Sequence, residues 1–460
     1  RAATDSTRVT TTTSTPNGPR NVFIGGRVLA LCQNQDVRLV ADSAEWYQQA
    51  QVLYLIGNVR YTEPRARVSS DQMNYFQVDE RLIAIGNVEA TLPSGSVMRG
   101  DTATYYRAVR GIRPQTRLVA QNRPRLWLSQ RDSVGKSTEP VQVTANQITT
   151  ENDSLVFAGG KVEITRSDLD ARSDSAFLDS GNELARLMIQ PVIIGKGERG
   201  YTLRGRQVEL YTRNRIVQRV LAQAEARVTS EDLLLTSDTI DLRVDGNRAQ
   251  AAYIWGKSRA RAVSPDRDLI ADSLLVRMPD QQLREVRAFR SAVVTTIPDT
   301  AQIRTGEKDW LRGDTIYAFF DSTARARRAV PTTGNSARDT ATARPQLREM
   351  QSIGHASSRY QVVAQNGTPE RPGINYSRGQ RITVTLDSTG VTRVQIDEDA
   401  VGVYLEPVSD TGAGSTTVPP APNTPAGPPA STPVTPGAAA NRPPVRQPAA
   451  ANPRTKPARP

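Results

Sequence analysis

The residue types that most often perform chemistry are scarce in this chain of 460 residues. It has one cysteine, Cys32, and one histidine, His355. One cysteine cannot form an internal disulfide, and a zinc site of cysteine and histidine ligands needs more of both residue types. A histidine-dependent triad would rest on His355 alone, and the carboxylates lie in no motif that fixes an acid and base pair. The composition therefore favours a protein that is not an enzyme and has no metal site or cofactor.

The charge and the apolar content narrow the class of protein further. The 59 Lys and Arg residues against 47 Asp and Glu residues give a formal net charge of +12. This charge is spread along the chain, without a known binding module or an aromatic-rich basic stripe, so we expect no nucleic-acid partner. No apolar run reaches the roughly 18–20 residues of a membrane-spanning helix. The hydrophobic content of 37% is lean but above that of a wholly disordered chain.

The strongest pattern is a recurring, mostly acidic position, which we call the anchor. Uninterrupted anchors follow one another at spacings of 28 to 34 residues, obtained by subtracting their numbers. The residue before each anchor is small, and apolar residues predominate three positions before it and two and four positions after it. The anchors are Asp42, Asp71, Asp101, Asn146, Asp174, Arg206, Asp238, Asp272 and Asp314.

The spacing of the apolar positions predicts a bend at each anchor. Positions −3 and −1 share one face of a strand and positions +2 and +4 share one face, but an odd step separates the two sets. All four point inward only if the strand shifts by one residue, as at a β-bulge or a sharp corner. An aspartate there can accept bonds from freed backbone N–H groups, so we interpret the anchors as structural. A ladder of calcium ligands is the alternative, but the Gly-rich spacing of calcium-binding β-rolls is missing.

A glycine motif lies between the anchors. An apolar residue, a glycine, one or more further residues and then Val or Ala occur at 24–28, 56–59, 85–88, 158–162 and 255–260. Glycine inside a strand pattern indicates a bulge or a turn, because it adopts positive φ without strain. Each unit therefore predicts two strands. The whole chain predicts an all-β fold, an extended, repetitive, open and twisted antiparallel β-jelly-roll built from repeats of about 30 residues.

Changes in composition predict the organisation of the chain. The Thr-rich start and the Pro-, Ala- and Thr-rich end cannot bury enough surface to order themselves. Residues 108–139 suggest a mild insertion into the repeat. We expect a disordered tether over 1–20, the repetitive β-jelly-roll over 21–320, a low-complexity insertion over 321–350, a continuation of the roll over 351–407 and a disordered tail over 408–460.

Five segments of the first repeats carry a resemblance to known proteins. They are VADSAEWY at 40–47, LIGNVRY at 55–61, SSDQMNYF at 69–76, AIGNVEA at 84–90 and GDTATYY at 100–106. This alternation resembles the organic-solvent-tolerance family, the periplasmic domains of lipopolysaccharide transport. The resemblance is closest over residues 21–107, with weaker copies to about residue 320. The later anchors depart from the pattern, as at Asn146 and Arg206.

The resemblance implies a fold and a function. In that family a twisted, open β-jelly-roll carries the acyl chains of lipid A in its apolar interior, and domains stack edge to edge between the inner and outer membranes. We therefore expect a non-enzymatic periplasmic protein, associated with the outer membrane, that binds lipopolysaccharide or a related amphiphile. Its expected partners are other lipopolysaccharide-transport components at both membranes, and further copies of itself joined head to tail through exposed edge strands.

The inward repeat positions are the candidate lining of such a groove. They are Leu39, Ala44, Trp46, Val68, Met73, Tyr75, Met98, Tyr105, Val143, Ile148, Leu178, Leu203, Val208, Leu210, Leu235, Ile240, Leu242, Leu269, Leu274 and Ile316. Arginine binds phosphate with two parallel hydrogen bonds, so the candidate contacts to lipid A phosphates are Arg38, Arg60, Arg65, Arg67 and Arg99. The same arginines would also fit a solvated outer face.

The pattern of inward residues leaves a second function open. A roll that is held open is a groove, whereas a roll that is closely packed is a core, and both require the same apolar positions. The alternative is a structural or adhesive closed β-scaffold that interacts through its edge strands and its basic Pro-rich tail.

Overall fold

The computed structural model describes most of the chain from the N terminus to residue 406. The described residues are 2–4, 8–13, 16–31, 36–131, 137–196, 200–214, 216–231, 233–246, 248–296, 307–321, 345–362, 372–387 and 390–406. They form 28 strands, one 3-10 turn at Pro279–Gln281 and no α-helix. The predicted all-β class and the extended, repetitive antiparallel architecture are confirmed.

The strands follow one another with short connections over most of the described residues. They are β1 Ala2–Thr4, β2 Arg8–Thr13, β3 Arg20–Leu31, β4 Arg38–Tyr47, β5 Val52–Glu63, β6 Ala66–Phe76, β7 Arg81–Thr91, β8 Val97–Tyr106, β9 Arg117–Gln121, β10 Arg125–Arg131, β11 Ser137–Thr144, β12 Gln147–Glu151, β13 Leu155–Thr165, β14 Leu169–Asp179, β15 Leu184–Met188, β16 Val192–Gly195, β17 Tyr201–Arg204, β18 Gln207–Arg213, β19 Ile216–Thr229, β20 Leu234–Asp245, β21 Arg248–Val263, β22 Arg267–Arg277, β23 Glu285–Thr296, β24 Asp309–Asp321, β25 Gln346–Val362, β26 Gly373–Asp387, β27 Gly390–Asp397 and β28 Val401–Leu405.

The long strands turn a corner near their middle, as β4 shows. Leu39 and Ala41 before the anchor Asp42 and Ala44 after it are all buried, whereas Asp42 is exposed. The side chains therefore face the same interior on both sides of the corner. The pairing of β4 with β5 shifts register at this point. The predicted shift of one residue at the anchor is present.

The glycine motif forms the other side of the same corner. Gly57 and Asn58 of β5 lie opposite Asp42, and both have positive φ, 78° and 47°. A Cβ atom on Gly57 would lie only 2.3 Å from Asp42 Oδ2. Asn58 Nδ2 donates to the same oxygen at 2.8 Å. The two motifs recur together at five corners, where an anchor packs against the glycine of the following strand: Asp42 with Gly57, Asp71 with Gly86, Asn146 with Gly160, Asp238 with Gly256 and Asp314 with Gly354.

The anchors accept hydrogen bonds at several corners, mostly from side chains. Asn87 Nδ2 donates to Asp71 Oδ2 at 2.8 Å, which repeats the bond between Asn58 and Asp42. The expected bond from a freed backbone N–H group occurs at Asp238, whose Oδ2 accepts from Ser258 N at 2.7 Å. The anchors are thus structural residues of the corner, as the sequence predicted.

The corners divide the sheet into two half-sheets. Half-sheet A contains the strand portions that precede an anchor, such as 38–41 of β4, and the portions of neighbouring strands that pair with them. Half-sheet B contains the portions that follow an anchor, such as 43–47, and their pairing partners. In each half-sheet the portions pair antiparallel with their neighbours in chain order. Half-sheet A runs from β1 to β28, and half-sheet B runs from β2 to β27. Pairs of short strands, such as β9 with β10, take the place of one bent strand.

The two half-sheets pack face to face around one hydrophobic core. The buried residues form a continuous cluster from Val28 to Val384. The corners close one long side of this interior with covalent chain. On the opposite side, which we call the mouth, the hairpin turns of the two half-sheets approach each other, and in the described part of the chain they meet through side-chain contacts and not through strand pairing.

The structure changes three of the predicted boundaries. Residues 2–4 and 8–13, within the predicted tether, form β1 and β2 and pair with β3, because the Thr-rich segment suits an extended edge strand. The insertion expected over 108–139 instead contains β9 and β10. The insertion expected over 321–350 ends earlier, because β25 begins at Gln346.

The other predicted segments divide between the described and the undescribed part of the chain. Strands β25 to β28, from Gln346 to Leu405, continue the roll. The predicted tail over 408–460, residues 322–344 of the insertion and Cys32 lie outside the described residues.

Candidate functional site

The predicted groove lining lies inside the roll. All but three of the candidate lining residues are buried, with at most 8% of their surface exposed. The exceptions, Trp46, Tyr75 and Leu178, are half-buried and stand four positions after their anchors, at the end of half-sheet B nearest the mouth. The interior is therefore filled by the protein's own side chains. A long apolar ligand could enter only if the half-sheets separated at the mouth.

A polar cluster fastens the mouth between β5 and β8. Glu63 ends β5 at the rim of half-sheet A, and Arg107 follows β8 at the rim of half-sheet B. Arg107 Nε donates to Glu63 Oε2 at 3.0 Å, and Arg107 Nη1 donates to Glu80 Oε2 at 2.6 Å. The side chains of Arg107 and Glu63 are only 12% and 8% exposed. We call Glu63, Glu80 and Arg107 the clasp.

Three tyrosines surround the clasp and share its carboxylates. The rings of Tyr61 and Tyr105 face each other across the interior with centroids 6.1 Å apart. Both hydroxyls donate to Glu63, that of Tyr61 at 2.8 Å, and the hydroxyl of Tyr75 donates to Glu80. Burial, together with these carboxylates, raises the pKa of all three phenols well above its ordinary value. The phenols therefore stay protonated and remain donors.

The surroundings of Arg107 also favour its charged form. Burial alone would lower the pKa of the Arg107 guanidinium, but Tyr61, Glu63 and Glu80 raise it above its ordinary value. The guanidinium thus holds two carboxylates from different hairpins. Because Glu63 accepts bonds from Tyr61 of half-sheet A and from Tyr105 and Arg107 of half-sheet B, the cluster joins the two rims.

A second contact crosses the mouth further along. Ser94 lies in the turn between β7 and β8 of half-sheet A, and Asp153 lies in the turn between β12 and β13 of half-sheet B. Asp153 Oδ2 accepts from Ser94 N at 2.5 Å, and Asp153 Oδ1 accepts from Ser94 Oγ at 2.7 Å. Burial raises the pKa of Asp153, although both bonds from Ser94 oppose this shift. Neither this contact nor the clasp is part of the strand pairing, so both can break while the strand ladders stay intact.

Four of the five candidate phosphate contacts lie on the outer face of half-sheet A. Arg38, Arg60 and Arg67 are exposed and alternate along their strands with buried, inward-facing residues. Arg99 is also exposed, and its Nε donates to Glu89 Oε2 at 2.8 Å. The structure therefore places these four away from the mouth.

The fifth candidate, Arg65, lies at the mouth. It occupies the turn between β5 and β6 and borders a cleft of about 760 Å³ between that turn and the loop 107–114. The loop adds Arg110 and Arg113 to the cleft, two residues that the sequence analysis missed because they fall in the supposed insertion. Four arginines in the eleven residues from 107 to 117 were the available signal. Phosphate binding by any of the candidates stays a prediction.

The described residues show no other arrangement that suggests chemistry. They contain no group of three or more His, Cys, Asp and Glu residues that could hold a metal ion. His355 is exposed at a corner, where its Nδ1 lies 2.8 Å from Oδ2 of the anchor Asp314. No helix in the described ranges has the length and apolar character needed to cross a membrane.

Comparison with known proteins adds no relative to this picture. No protein-family model matches the chain, and no curated protein is significantly similar to it in sequence. The function is therefore inferred from the repeated motifs and from the geometry of the interior and its mouth.

Proposed function

We propose that this protein is a non-enzymatic carrier of lipopolysaccharide or a related amphiphile with several acyl chains, and that it acts in the periplasm in outer-membrane biogenesis. The observation that carries the proposal is the continuous apolar interior, which covalent corners close on one side and non-covalent contacts close on the other. Acyl chains would lie between the half-sheets. The polar headgroup would stay at the mouth.

The burial of an acyl chain is large compared with the strength of one bond of the clasp. Each methylene group that leaves water gains about 0.8 kcal/mol. A hydrogen bond to a charged group contributes about 1.5–3 kcal/mol net. A few buried methylenes of an acyl chain therefore offset the loss of one bond of the clasp. A multi-acyl amphiphile has many more methylenes than this, whereas a small polar molecule has too few.

The exposed edge strands of the roll are suited to pair with a strand of a partner chain. β28 is an edge strand of half-sheet A, and it exposes Val401, Val403, Tyr404 and Leu405, each by 49% to 63%. Such an edge offers unpaired backbone groups and apolar side chains to another chain. In this proposal the partners are further copies of the protein, joined head to tail, and lipopolysaccharide-transport components at the inner and outer membranes.

One observation favours the alternative of a structural or adhesive scaffold. The candidate lining residues are almost all buried, which is also what a permanently closed core requires. A scaffold would never admit an amphiphile, and it would interact only through its edge strands and its basic Pro-rich tail.

Native mass spectrometry of the full chain distinguishes the two functions. The protein is purified from a host that makes lipopolysaccharide and measured before and after addition of lipid A. A carrier shows a mass increment that matches a multi-acyl lipid. A chain that stays bare with added lipid A contradicts the carrier and supports the scaffold.

A further inference from the structure

The loop after β8 is fixed to the rim of the mouth. Arg107 N donates to Glu80 O at 3.1 Å. Arg113 Nη1 donates to Arg107 O at 2.8 Å, and Arg113 Nη2 donates to Asp79 O at 3.4 Å. The two ends of the loop are thus held against the hairpin between β6 and β7. The loop lies beside the clasp and stands where other hairpins of the repeat have a short turn, so it is not a repeated feature.

A tight turn at the tip of the loop presents a basic and an apolar side chain. Ile112 N donates to Val109 O at 3.1 Å, and Gly111 has a φ of 85°. A four-residue turn with positive φ at its third residue requires glycine or asparagine there. The turn leaves Arg110 exposed and Ile112 58% exposed, and both line the cleft.

The cleft carries positive charge that the protein itself does not neutralise. Arg65 and Arg110 are exposed, and in the described part of the chain neither forms an ion pair or a side-chain hydrogen bond. Among the described residues Arg113 donates to two carbonyl oxygens and to no carboxylate, and its guanidinium lies 4.8 Å from the ring centroid of Tyr106. The charge of Arg107, in contrast, is balanced by the carboxylates of the clasp. Three guanidinium groups around one cleft repel one another, and an anion between them would relieve this repulsion.

We propose that the cleft binds a phosphate-type anion through Arg65, Arg110 and Arg113. Guanidinium groups match phosphate oxygens with paired, charge-assisted hydrogen bonds. Ile112 and Pro64 add an apolar border where the first carbon atoms of an amphiphile would lie. As the headgroup site of the carried lipid, the cleft rests on the proposed function, but the anion site itself does not. Because the cleft lies beside the clasp, a phosphate bound there stays in water while the acyl chains enter between the half-sheets at the mouth.

Calorimetric titration of the full chain with inorganic pyrophosphate at low ionic strength tests the site. The variant R65A/R110A removes two donors but leaves Arg113, whose bonds hold the loop. The control R60A/R67A removes the same charge from the outer face of half-sheet A. We expect pyrophosphate to bind about tenfold more weakly for each cleft arginine removed and unchanged to the control. Circular dichroism verifies that both variants fold. Equal binding to all three proteins, equal losses in the two variants, or no binding at all overturns the site.

Lipid A, measured by native mass spectrometry with the same three proteins, separates the two proposals. If R65A/R110A loses both lipid A and pyrophosphate, the cleft is the headgroup site. If it loses pyrophosphate alone while lipid A binds normally, the site holds free phosphate compounds and the headgroup assignment is wrong. If no protein binds lipid A but only R65A/R110A loses pyrophosphate, the carrier function fails and the anion site stands.

Discussion

At the corners of the roll, one side-chain atom of an anchor occupies the space that a glycine leaves open. Gly159 and Gly160 are adjacent glycines of one motif, and only the second of them contacts an anchor. Gly160 has a φ of 76°, and a Cβ there would lie 2.5 Å from Nδ2 of the anchor Asn146. Gly159, its neighbour in β13, has no atom within 4 Å of the corresponding position. The repeated glycine is thus required by contact with the anchor as well as by backbone conformation.

This difference predicts the effect of adding one methyl group. Gly160→Ala should lower the free energy of unfolding by about 2 kcal/mol or more, because the left-handed backbone costs a residue with Cβ about 1–2 kcal/mol and the anchor must also move. Gly159→Ala should change it by less than about 0.5 kcal/mol. Urea denaturation followed by circular dichroism measures both. Equal effects of the two substitutions would contradict this account of the corner.

The buried tyrosines predict how stability depends on alkaline pH. The pKa values of Tyr61, Tyr75 and Tyr105 are raised by burial first and by their carboxylate partners second. Burial, with Asp168 adding to it, raises the pKa of Tyr201 to about 12. In the unfolded chain the same phenols ionise near 10.0, their ordinary pKa. Their contribution to stability is therefore complete below that pH and is lost as the pH rises through the folded-state values.

An alkaline titration checks this expectation. We expect some phenolate absorbance to appear only together with the loss of β-sheet circular dichroism. The exposed tyrosines should ionise earlier and serve as the internal reference. Complete ionisation of all tyrosines in a chain that keeps its native circular dichroism spectrum would show that the clasp tyrosines are not buried.

Among the elements of the fold, the two rims of the mouth behave differently from the corners. The corners are covalent, whereas the rims meet through the clasp and through the contact of Ser94 with Asp153. A buried ion pair of this kind adds little net stability over an apolar pair, but removing one partner leaves an unpaired buried charge. The mouth is therefore suited to open as a unit when a ligand replaces its contacts.

A double-mutant cycle on the clasp measures this coupling. Arg107→Ala leaves Glu63 buried without its cation, so the free energy of unfolding should fall by about 3 kcal/mol. Glu63→Gln should cost less, and the combination E63Q/R107A should recover part of the loss, because no uncompensated carboxylate remains at that position. Urea denaturation gives the energies, and hydrogen exchange of β5 and β8 locates the change. Additive effects of the two substitutions would mean that the residues do not act as one clasp.

The sequence predicted the elements better than the contacts between them. The shift at each anchor and the glycine motif were readable because each requires particular residue types at fixed positions. The corners at Asn122 and Ala224 also have positive φ but contain no glycine, so the glycine motif does not reveal them. A tenth anchor, Gln380, was missed because long connections separate it from Asp314.

The clasp and the cleft depend on the packing of the half-sheets. Glu63 and Arg107 lie 44 residues apart and meet only because the rims of the two half-sheets face each other. The phosphate candidates were chosen by their closeness to the best motifs. The alternation of faces places Arg38, Arg60 and Arg67 outside, whereas a loop that looked like an insertion supplies Arg110 and Arg113.

At the scale of the whole molecule, the edge at β28, which pairs with β26 alone among the described strands, predicts self-association. Replacing Val403, which is 55% exposed, by lysine puts a charge on the edge, which disfavours strand addition. We expect the wild-type chain to form head-to-tail oligomers that grow with concentration and V403K to remain monomeric. Analytical ultracentrifugation across a wide dilution series measures both. Wild-type protein that is monomeric throughout, or V403K that associates equally well, would rule out this edge as the interface.

The central claim is that the acyl chains of a carried amphiphile lie between the half-sheets. Two adjacent aromatic residues of β4 test it with little disturbance. Trp46 is half-buried on the inward face, whereas Tyr47 packs outside against Phe23 and Tyr54, with ring centroids 5.9 Å and 5.6 Å apart. A photoreactive phenylalanine derivative replaces each in turn, and the full chain is irradiated in cells that make lipopolysaccharide.

We expect a covalent lipid adduct from position 46 and none from position 47. Adducts from both positions would place the lipid on the surface of the roll. The absence of an adduct from position 46, in a protein that folds and is exposed to lipopolysaccharide, would contradict the carrier and leave a closed scaffold.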